Sequence, residues 1–323
     1  MIRSIIKNQE CFSIVQGLPE PGQDHNLVWL EVHTPTVEEG TILQQRFGIE
    51  TAKKNSNVVE DGQFLYMRSR LLALDDNGAP HFGGVTFALG EQLVAIICDD
   101  ANFQSFDIAL QRLRRKPANG QSPKAIMRSL LQIANDRADE LVDQIAEELE
   151  KRAEDISEIS DGYNANGMEL GVPDLIETMR ALNAKEELIA LCIETQLSLA
   201  RTVRYLSSEI DSTNEADLQG LVNELAFDVA GVKEHAYFEH QKVQYLQKSV
   251  TNILNIKQNQ IVKVFTIITA VFLPPTLVGT FYGMNFAVMP ELSWEHGFVY
   301  SMGLTLSAAV LPLIYIKRKG WLR

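Results

Sequence analysis

Two long stretches near the end of the chain contain no charged side chain. Residues 264–282 and residues 298–316 are each 19 residues long. As helices they would each cover roughly 28 Å, which is about the thickness of the hydrocarbon core of a bilayer. The pattern therefore predicts two membrane-spanning helices, which makes the lipid bilayer a partner of the chain.

The first part of the chain, residues 1–118, contains short apolar runs separated by turn signals. β-Branched and large apolar residues dominate these runs, which predicts strands. A helix is expected to follow Thr36, because Thr36 and Glu39 have the spacing of a capping box. The predicted fold class of this part is an α+β domain. The strands are predicted at residues 28–32, 64–74, 85–89 and 93–98.

From residue 119 onward the pattern becomes helical. Ser122 before Pro123 is typical of a helix start, and apolar residues then recur at three- and four-residue spacings to about residue 159. A second stretch of this kind covers residues 173–207, so residues 119–214 are predicted to form an acidic helical hairpin. The apolar positions are Ile126, Leu130, Ile133, Leu141, Ile145, Leu149 and Ile156, followed by Leu175, Leu182, Ile189, Ile193 and Leu197.

A third helix is predicted after residue 214, with apolar side chains in near-heptad order and Glu239 as the one interruption. It is expected to join a stalk, residues 215–263, to the first span of a membrane domain, residues 264–323. A helix on the order of 100 Å long is not stabilised by its own turns alone, so oligomerisation is expected. The apolar positions are Val222, Leu225, Val229, Val232, Ala236, Val243, Leu246, Val250 and Ile253.

Charge narrows the classes of partner. The net charge is −13 over 323 residues. A surface for nucleic acid needs clustered Lys and Arg, so nucleic acid is excluded and cations are the better partners. Most of the acidic side chains are also explained by the solubility that they give to exposed helices.

Cysteine and histidine give no sign of a structural metal site. Cys11, Cys98 and Cys192 are far apart and form no CxxC, so we expect buried free thiols instead of a disulfide framework or a zinc site. His235 and His240 are five residues apart, which places them on different faces of a helix. A shared zinc site is therefore not expected, and both histidines are predicted to be exposed.

The charges that flank the two spans indicate their orientation. Lys317, Arg318 and Lys319 directly follow the second span, whereas the loop at 287–297 contains Glu291 and Glu295 but no Lys or Arg. Positive residues favour the cytoplasmic side. Both termini are therefore predicted to be cytoplasmic, with the loop outside, in an integral membrane protein of a bacterial inner (plasma) membrane.

The C-terminal motifs together resemble one family. Gly283-Met284-Asn285 ends the first span, Pro274-Pro275-Thr276 lies inside it, and Met289-Pro290-Glu291-Leu292 follows it. In this arrangement residues 250–323 resemble the CorA family of magnesium transporters. The resemblance implies a homopentamer whose first span lines a central pore, Mg2+ as the transported and regulatory ion, and Co2+ and Ni2+ as further substrates. It implies no catalytic activity, and no cofactor is expected.

The resemblance makes Gly283, Met284 and Asn285 the selectivity filter. Mg2+ releases its water reluctantly, so a selective entrance should bind the hydrated ion. Asn285 offers an amide oxygen, and Gly283 lets backbone carbonyls approach the axis. A ring of such oxygens would contact the water shell of the ion. The alternative is that Gly283 and Asn285 only terminate the helix.

Further residues are candidates for the wall of the pore. Polar side chains could line it, and large apolar side chains could close it by excluding water. The alternative is that the threonine hydroxyls bond back to their own helix and that the large side chains face lipid or the second span. The polar candidates are Asn259, Thr266, Thr276 and Thr280, and the apolar candidates are Val262, Phe265 and Leu273.

Acidic residues outside the spans are candidates for two other roles. Glu291 and Glu295 could concentrate cations at the outer mouth of the pore. Relatives often have an acidic residue where this chain has Ala287, so the negative field at the mouth would depend more on Glu291. The family senses cytoplasmic Mg2+ through acidic residues between neighbouring soluble domains. The candidates for this regulatory metal site are Asp99, Asp100, Glu224 and Asp228.

Two other functions remain open at this point. A zinc-transporting, ZntB-like protein would carry the same Gly-Met-Asn, although Met289-Pro290-Glu291-Leu292 favours magnesium. A membrane-anchored coiled-coil protein for structure or signalling would use the spans only as an anchor. The chain contains no GxxxxGK[ST] phosphate loop, so transport driven by ATP is not indicated.

Overall fold

The computed structural model describes residues 1–8, 11–20, 22–51, 57–74, 79–101, 103, 106–116, 120–160, 172–285 and 289–320, with the side chains at 8, 11, 74, 81, 157–160, 172, 291 and 292 left out. The chain divides into two compact units. The first unit comprises Met1–Ser157 and Arg180–Leu246, and the second comprises Glu158–Met179 and Gln247–Arg323.

Strands dominate the first third of the chain and long helices the rest. The strands are β1 (Ile2–Asn8), β2 (Cys11–Gln16), β3 (Leu27–His33), β4 (Val58–Glu60), β5 (Leu65–Leu74), β6 (Pro80–Leu89) and β7 (Val94–Cys98). The helices are α1 (Val37–Phe47), α2 (Asp107–Arg115), α3 (Pro123–Ser160), α4 (Val172–Ser208), α5 (Ala216–Tyr282) and α6 (Gly297–Arg318).

The strands form one seven-stranded sheet in the order β2-β1-β3-β7-β6-β5-β4. All neighbouring pairs are antiparallel except β3 and β7, which are parallel, with Trp29 opposite Val94 and His33 opposite Cys98. The four predicted strands are present as β3, β5, β6 and β7. Strands β1, β2 and β4 were not predicted, nor was helix α2.

Apolar side chains alternate between the two faces of the sheet. Trp29 and Ile96 lie in a core cluster that also contains buried residues of α2, α3, α4 and α5. Leu30 and Ile97 lie in a second cluster with Leu43 of α1. Side chains of β3 and β7 point alternately to the two faces of the sheet. Helices α2, α3, α4 and α5 pack on one face, and α1 packs on the other.

Helix α1 begins as its sequence predicts. The Thr36 hydroxyl accepts a hydrogen bond from the Glu39 backbone N–H at 3.2 Å, and the Glu39 carboxylate accepts one from the Thr36 N–H at 2.8 Å. These bonds satisfy two donors that a helix start leaves free. The helix ends at Gly48, whose φ of 75° lies in the left-handed region that glycine adopts without strain.

Helices α3 and α4 run antiparallel. Leu130 of α3 shares a core cluster with Val203 of α4, while Glu148, further along α3, pairs with Lys185 at 2.7 Å near the other end of α4. The predicted apolar positions of both helices are buried with one exception. Leu197 is 48% exposed. After Ile193 the buried positions of α4 follow at Gln196 and Leu199, three residues apart, so Leu197 lies outside the buried face of the helix.

The apolar stripe predicted for α5 is present. Its residues from Val222 to Val250 are buried, and Ile253 is half-buried. Glu239, the one charged position in the stripe, is 3% exposed. A buried carboxylate is costly unless it is paired, so this position requires an explanation.

The second unit contains two helices that are long and apolar enough to cross a membrane. The relevant window of α5 has a mean hydropathy of 2.0 and that of α6 has 1.7. Almost none of the residues in these two segments are buried. Apolar helices of this length with exposed side chains are typical of membrane spans, because lipid instead of water surrounds the side chains there.

Two of the three cysteines are buried free thiols, as expected. Cys98 lies in the sheet and Cys192 in α4. Burial raises the pKa of both thiols, that of Cys192 to about 12, so neither is a reactive thiolate near neutral pH. The side chain of Cys11 lies outside the described residues.

Candidate functional site

Helix α5 ends at the predicted filter motif. The Gly283 N–H donates to the carbonyls of Gly279 at 3.0 Å and Thr280 at 3.2 Å, and the Met284 N–H donates to Phe281 at 3.3 Å. Neither Gly283 nor Asn285 adopts a left-handed backbone conformation. The helix therefore ends here without the left-handed cap that glycine and asparagine often provide, and the side chain of Asn285 is exposed.

One series of exposed positions runs towards this motif. The positions are alternately three and four residues apart, so they form a face that winds slowly around the helix, by about 20° per seven residues. We call them the exposed face of α5. In the second unit it consists of Asn252, Asn255, Asn259, Val262, Thr266, Thr269, Leu273, Thr276, Thr280 and Gly283, all exposed, whereas Lys263, Ile267, Ala270, Pro274 and Val278 beside it are half-buried.

Most of the predicted pore-lining residues belong to this face. Asn259, Val262, Thr266, Leu273, Thr276 and Thr280 all lie on it. Phe265 does not, because it comes one position before Thr266. Thr269 belongs to the face but was not among the predicted residues, although the spacing alone would have included it.

The same spacing continues through the stalk part of α5. There the exposed face includes Phe227, Phe238 and Tyr245, which are 78%, 63% and 69% exposed. Along the helix, these exposed positions alternate with the buried positions of the apolar stripe that begins at Val222. Large aromatic side chains exposed along one face of a long helix are typical of a surface that contacts other protein or a membrane.

The threonine hydroxyls of the face donate to their own helix. Thr266 donates to the carbonyl of Val262, Thr276 to Phe272 and Thr280 to Thr276, at 2.7–2.8 Å. Each hydroxyl has a single hydrogen, so the lone pairs that remain can only accept. The face thus presents acceptor oxygens, which suit a cation or the water around it.

A family profile decides to which group the chain belongs. The profile described as CorA-like Mg2+ transporter protein matches residues 24–318, which include strands β3 to β7 of the sheet, the long helices and both candidate spans. The chain belongs to this CorA family. The resemblance of residues 250–323 thus extends to nearly the whole chain.

Relatives of known name agree with this membership. The magnesium transport protein CorA of Haemophilus influenzae (strain 86-028NP) is 27% identical over 304 residues, which are 91% of this chain and 92% of that protein. The complete structure of the CorA magnesium transporter from Methanocaldococcus jannaschii matches with a TM-score of 0.72 at 15% identity, over 99% of this chain and 98% of that one. The match confirms the predicted fold class of an α+β domain with a long helix and two C-terminal apolar helices.

A second solved structure shares the fold over 78% of this chain. The cytoplasmic domain of ZntB from Vibrio parahaemolyticus RIMD 2210633 matches with a TM-score of 0.57 at 12% identity, over 78% of this chain and 97% of that one. At this identity the likeness concerns the fold alone. It does not bear on which metal this CorA-family chain transports.

The loop between the spans is described in part. Residues 286–288, with Ala287, and the side chain of Glu291 lie outside the described residues. Glu295 is exposed. Trp294 next to it packs against Tyr300 of α6, with ring centroids 5.5 Å apart, and such aromatic residues are typical of the membrane–water interface.

The four candidates for a regulatory site are on two separate parts of the first unit. Asp99 follows β7 and pairs with Arg68 at 2.8 Å. Its carboxylate fills the space at Gly84, where a Cβ would lie 2.7 Å from the Asp99 oxygen. Asp100, beside it, is half-buried.

Glu224 and Asp228 lie on α5, near Arg128 of α3. Burial lowers the pKa of Arg128, and the two carboxylates act in the opposite direction. Among the described residues of the single chain, none of the four candidates belongs to a group of three or more ligand side chains that lie close enough to hold one metal ion. A site formed between two chains stays a prediction.

One group of metal-ligating side chains does occur among the described residues. Asp139 and Asp143 of α3 and His235 of α5 have ligand atoms within 4.8 Å of one another. His235 and His240 are half-buried instead of exposed as predicted, and each pairs with a different carboxylate, Asp143 or Glu186. No sequence motif marks this group, because its members come from two helices that are far apart in the chain.

Proposed function

We propose that this CorA-family chain forms a homopentamer that conducts Mg2+ into the cytoplasm along the exposed face of α5. The observation that carries the proposal is this face: it is uninterrupted by a buried residue from the stalk to Gly283. Five copies with the same face inward would bury the stalk aromatics and would enclose the polar residues of the span. The number five comes from the family resemblance.

The chemistry of the face suits a hydrated divalent cation. Between residues 264 and 282 the chain has threonine hydroxyls but no carboxylate. Uncharged oxygens can replace contacts in the outer water shell of Mg2+ without binding the ion so tightly that it cannot leave. Asn285, with Gly283 and Met284, would form the entrance where the hydrated ion is selected.

The membrane potential can drive this transport. A doubly charged ion that crosses the full field gains roughly 4.6 kcal/mol per 100 mV. Lys317 and Arg318 end α6, and the positive-inside rule puts both termini in the cytoplasm of an inner-membrane protein. Inward movement of cations then needs no ATP site.

Mg2+ uptake by proteoliposomes tests the proposal directly. Purified protein should take up Mg2+ down an inside-negative potential, and cobalt hexammine, a mimic of the hydrated ion, should block it. Co2+ and Ni2+ should be taken up as competing substrates. Preference for Zn2+ over Mg2+ would favour a ZntB-like transporter, and the absence of any flux would favour a membrane anchor.

Asn285→Ala tests the filter. The substitution removes one amide oxygen per chain from the entrance, so Mg2+ uptake should fall at least about tenfold while the size of the assembly is kept. Asn223→Ala, on the exposed surface of α5 but off the exposed face, serves as the matched control and should transport normally. Full uptake by Asn285→Ala would contradict the filter assignment.

A further inference from the structure

Two helices of the first unit bring three metal-ligating side chains together. Asp139 and Asp143 are one turn apart on α3 and face His235 on α5. Asp143 Oδ1 is 3.6 Å from His235 Nδ1. Two ligands of one zinc-sized ion are roughly 3–4 Å apart, since each lies about 2.0–2.2 Å from the metal. The observed spacing needs only a small adjustment of side chains to enclose an ion.

A buried carboxylate lies on the other side of the imidazole. Glu239 is one turn beyond His235 on α5, and its side chain is 3% exposed. Its Oε1 is 3.9 Å from His235 Nε2, and its Oε2 has no hydrogen-bond donor among the described residues, although Lys242 Nζ forms an ion pair with it at 3.6 Å. This is the charged residue that interrupts the apolar stripe of α5.

This arrangement resembles the support that metal-binding histidines have, and the 3.9 Å between Glu239 Oε1 and His235 Nε2 has to shorten for a hydrogen bond to form. Such a histidine commonly directs its second ring nitrogen at a carboxylate, which fixes the tautomer and the ring orientation. Glu239 is placed to attract the proton of Nε2, which leaves the lone pair of Nδ1 for an ion beside Asp143. A buried carboxylate without full hydrogen bonding is thereby explained as part of a site.

Negative charge is concentrated at the same place. The pKa of Asp139 is raised, first by burial and next by repulsion from Asp143, while His235 acts in the opposite direction. Asp136 and Asp228 add to the repulsion. A bound dication would relieve this repulsion.

We propose that Asp139, Asp143 and His235 bind a first-row transition-metal dication of the Co2+, Ni2+ or Zn2+ type, with Glu239 as the residue that positions the imidazole. Imidazole suits these ions, whereas Mg2+ prefers oxygen ligands alone. The site is separate from the exposed face of α5. It does not depend on the proposed conduction of Mg2+.

Co2+ binding in the presence of Mg2+ tests the site. Full-length protein in detergent is stripped of metal, given a large excess of Mg2+ to fill oxygen-only sites, and titrated with Co2+ by calorimetry and visible absorption. One Co2+ per chain should still bind and should give the absorption of a nitrogen-ligated ion. His235→Ala should weaken this binding by at least about tenfold.

Three further variants separate the possible outcomes. His240→Ala is the matched control, because His240 is on the same helix and pairs with Glu186 outside the group, and it should bind Co2+ normally. Asn285→Ala should also bind normally, which excludes Co2+ held at the pore entrance. Asp143→Asn should weaken binding without harm to folding, since the Asp143 side chain is 66% exposed.

The proposal is overturned if no Co2+ binding survives the excess of Mg2+. It is also overturned if His235→Ala and Asp143→Asn bind Co2+ as the wild type does, which would leave a simple ion pair between the two helices. Equal loss in His235→Ala and His240→Ala would point to a general effect on α5 and would contradict the assignment as well.

Discussion

A threonine on the exposed face of α5 bonds back to its own helix, and this bond is compatible with the proposed role in the wall of the pore. Thr276 donates its hydrogen to Phe272 within the helix, and its lone pairs still point away from the backbone acceptor. The bond back to the helix therefore fixes the hydroxyl as an acceptor instead of removing it from the ion pathway. Single residues such as Thr276 and Asn285 could be proposed from the sequence because a local motif marks them.

His235 shows where prediction from single residues fails. Its spacing to His240 was the only relation visible in the sequence, and it bears only on a site that these two histidines would share. The partners that matter, Asp139 and Asp143, are on another helix. Only the packing of α3 against α5 brings them together, and no local pattern records that register.

The capping box of α1 leads to a prediction at this scale. Thr36→Ala removes the acceptor for the Glu39 N–H and should destabilise the first unit by about 1 kcal/mol at neutral pH. The change should lower the midpoint of thermal unfolding, followed by the fluorescence of buried Trp29. Thr41→Ala, within α1, keeps the box and should have a smaller effect.

The same box should respond to pH. The pKa of Glu39 is lowered, mainly by the hydrogen bond from the Thr36 backbone. A lowered pKa means that the stabilisation is present above the ordinary value of 4.5 and is lost as the pH falls through the folded-state value. The difference in midpoint between wild type and Glu39→Ala should therefore shrink in acid. A difference that stays constant from pH 7 to the acid limit of folding would contradict this role.

At the scale of elements, the sequence predicts what has a regular period and misses what does not. The long helices and four strands were found because their apolar residues repeat over many positions. Strand β1 was missed because Arg3 and Ser4, although polar, are buried. Arg3 pairs with Glu31 and Asp107, and Ser4 donates to the carbonyl of Gly17. These partners come from other parts of the chain, so the order of polar and apolar residues in β1 alone does not show which of its side chains are buried.

The exposed face of α5 gives a prediction for the span. Thr269→Cys should react with a positively charged thiol reagent, and the reaction should block Mg2+ uptake, because the face is proposed to border the ion pathway. Ile268→Cys, one residue earlier and also exposed in the single chain, should face away from the pathway and should keep its uptake. The measurement is uptake by proteoliposomes before and after the reagent.

The native cysteines do not disturb this comparison where they are described. Cys98 and Cys192 are buried, and wild-type protein treated with the reagent measures any contribution from Cys11. Equal inhibition of both engineered variants would mean that the spacing does not define the wall of the pathway. Inhibition of Ile268→Cys alone would mean that the helix is rotated by about 100° from the proposed orientation.

At the scale of the whole molecule, the proposed assembly depends on one surface of the single chain. Its stalk exposes Phe227, Phe238 and Tyr245 along one line. Each large aromatic side chain covered by a neighbour is worth roughly 1.5–3 kcal/mol. A set of such residues repeated in every copy favours assembly, while the buried stripe on the other side holds each helix to its own chain.

Assembly should therefore depend on this line. Phe238→Glu places a charge in each copy of the proposed contact, and like charges would meet around the axis. The mass of the detergent-solubilised protein, measured by light scattering, should fall from that of five chains towards that of one. Tyr237→Glu, an adjacent exposed aromatic residue off the face, should remain assembled. An unchanged mass for Phe238→Glu would argue against the stalk as the contact.

The parallel pairing of β3 with β7 has a consequence for the order of events during synthesis. Strand β3 can pair with β7 only after β7 has been synthesised, because Trp29 lies opposite Val94. Until residue 98 has left the ribosome, the nascent chain therefore has an unpaired strand edge that is prone to aggregation. The first apolar span emerges much later. At roughly 5–20 residues per second the interval is on the order of ten seconds. The aggregation hazard of the open sheet and the insertion of the spans therefore arise at separate times during synthesis.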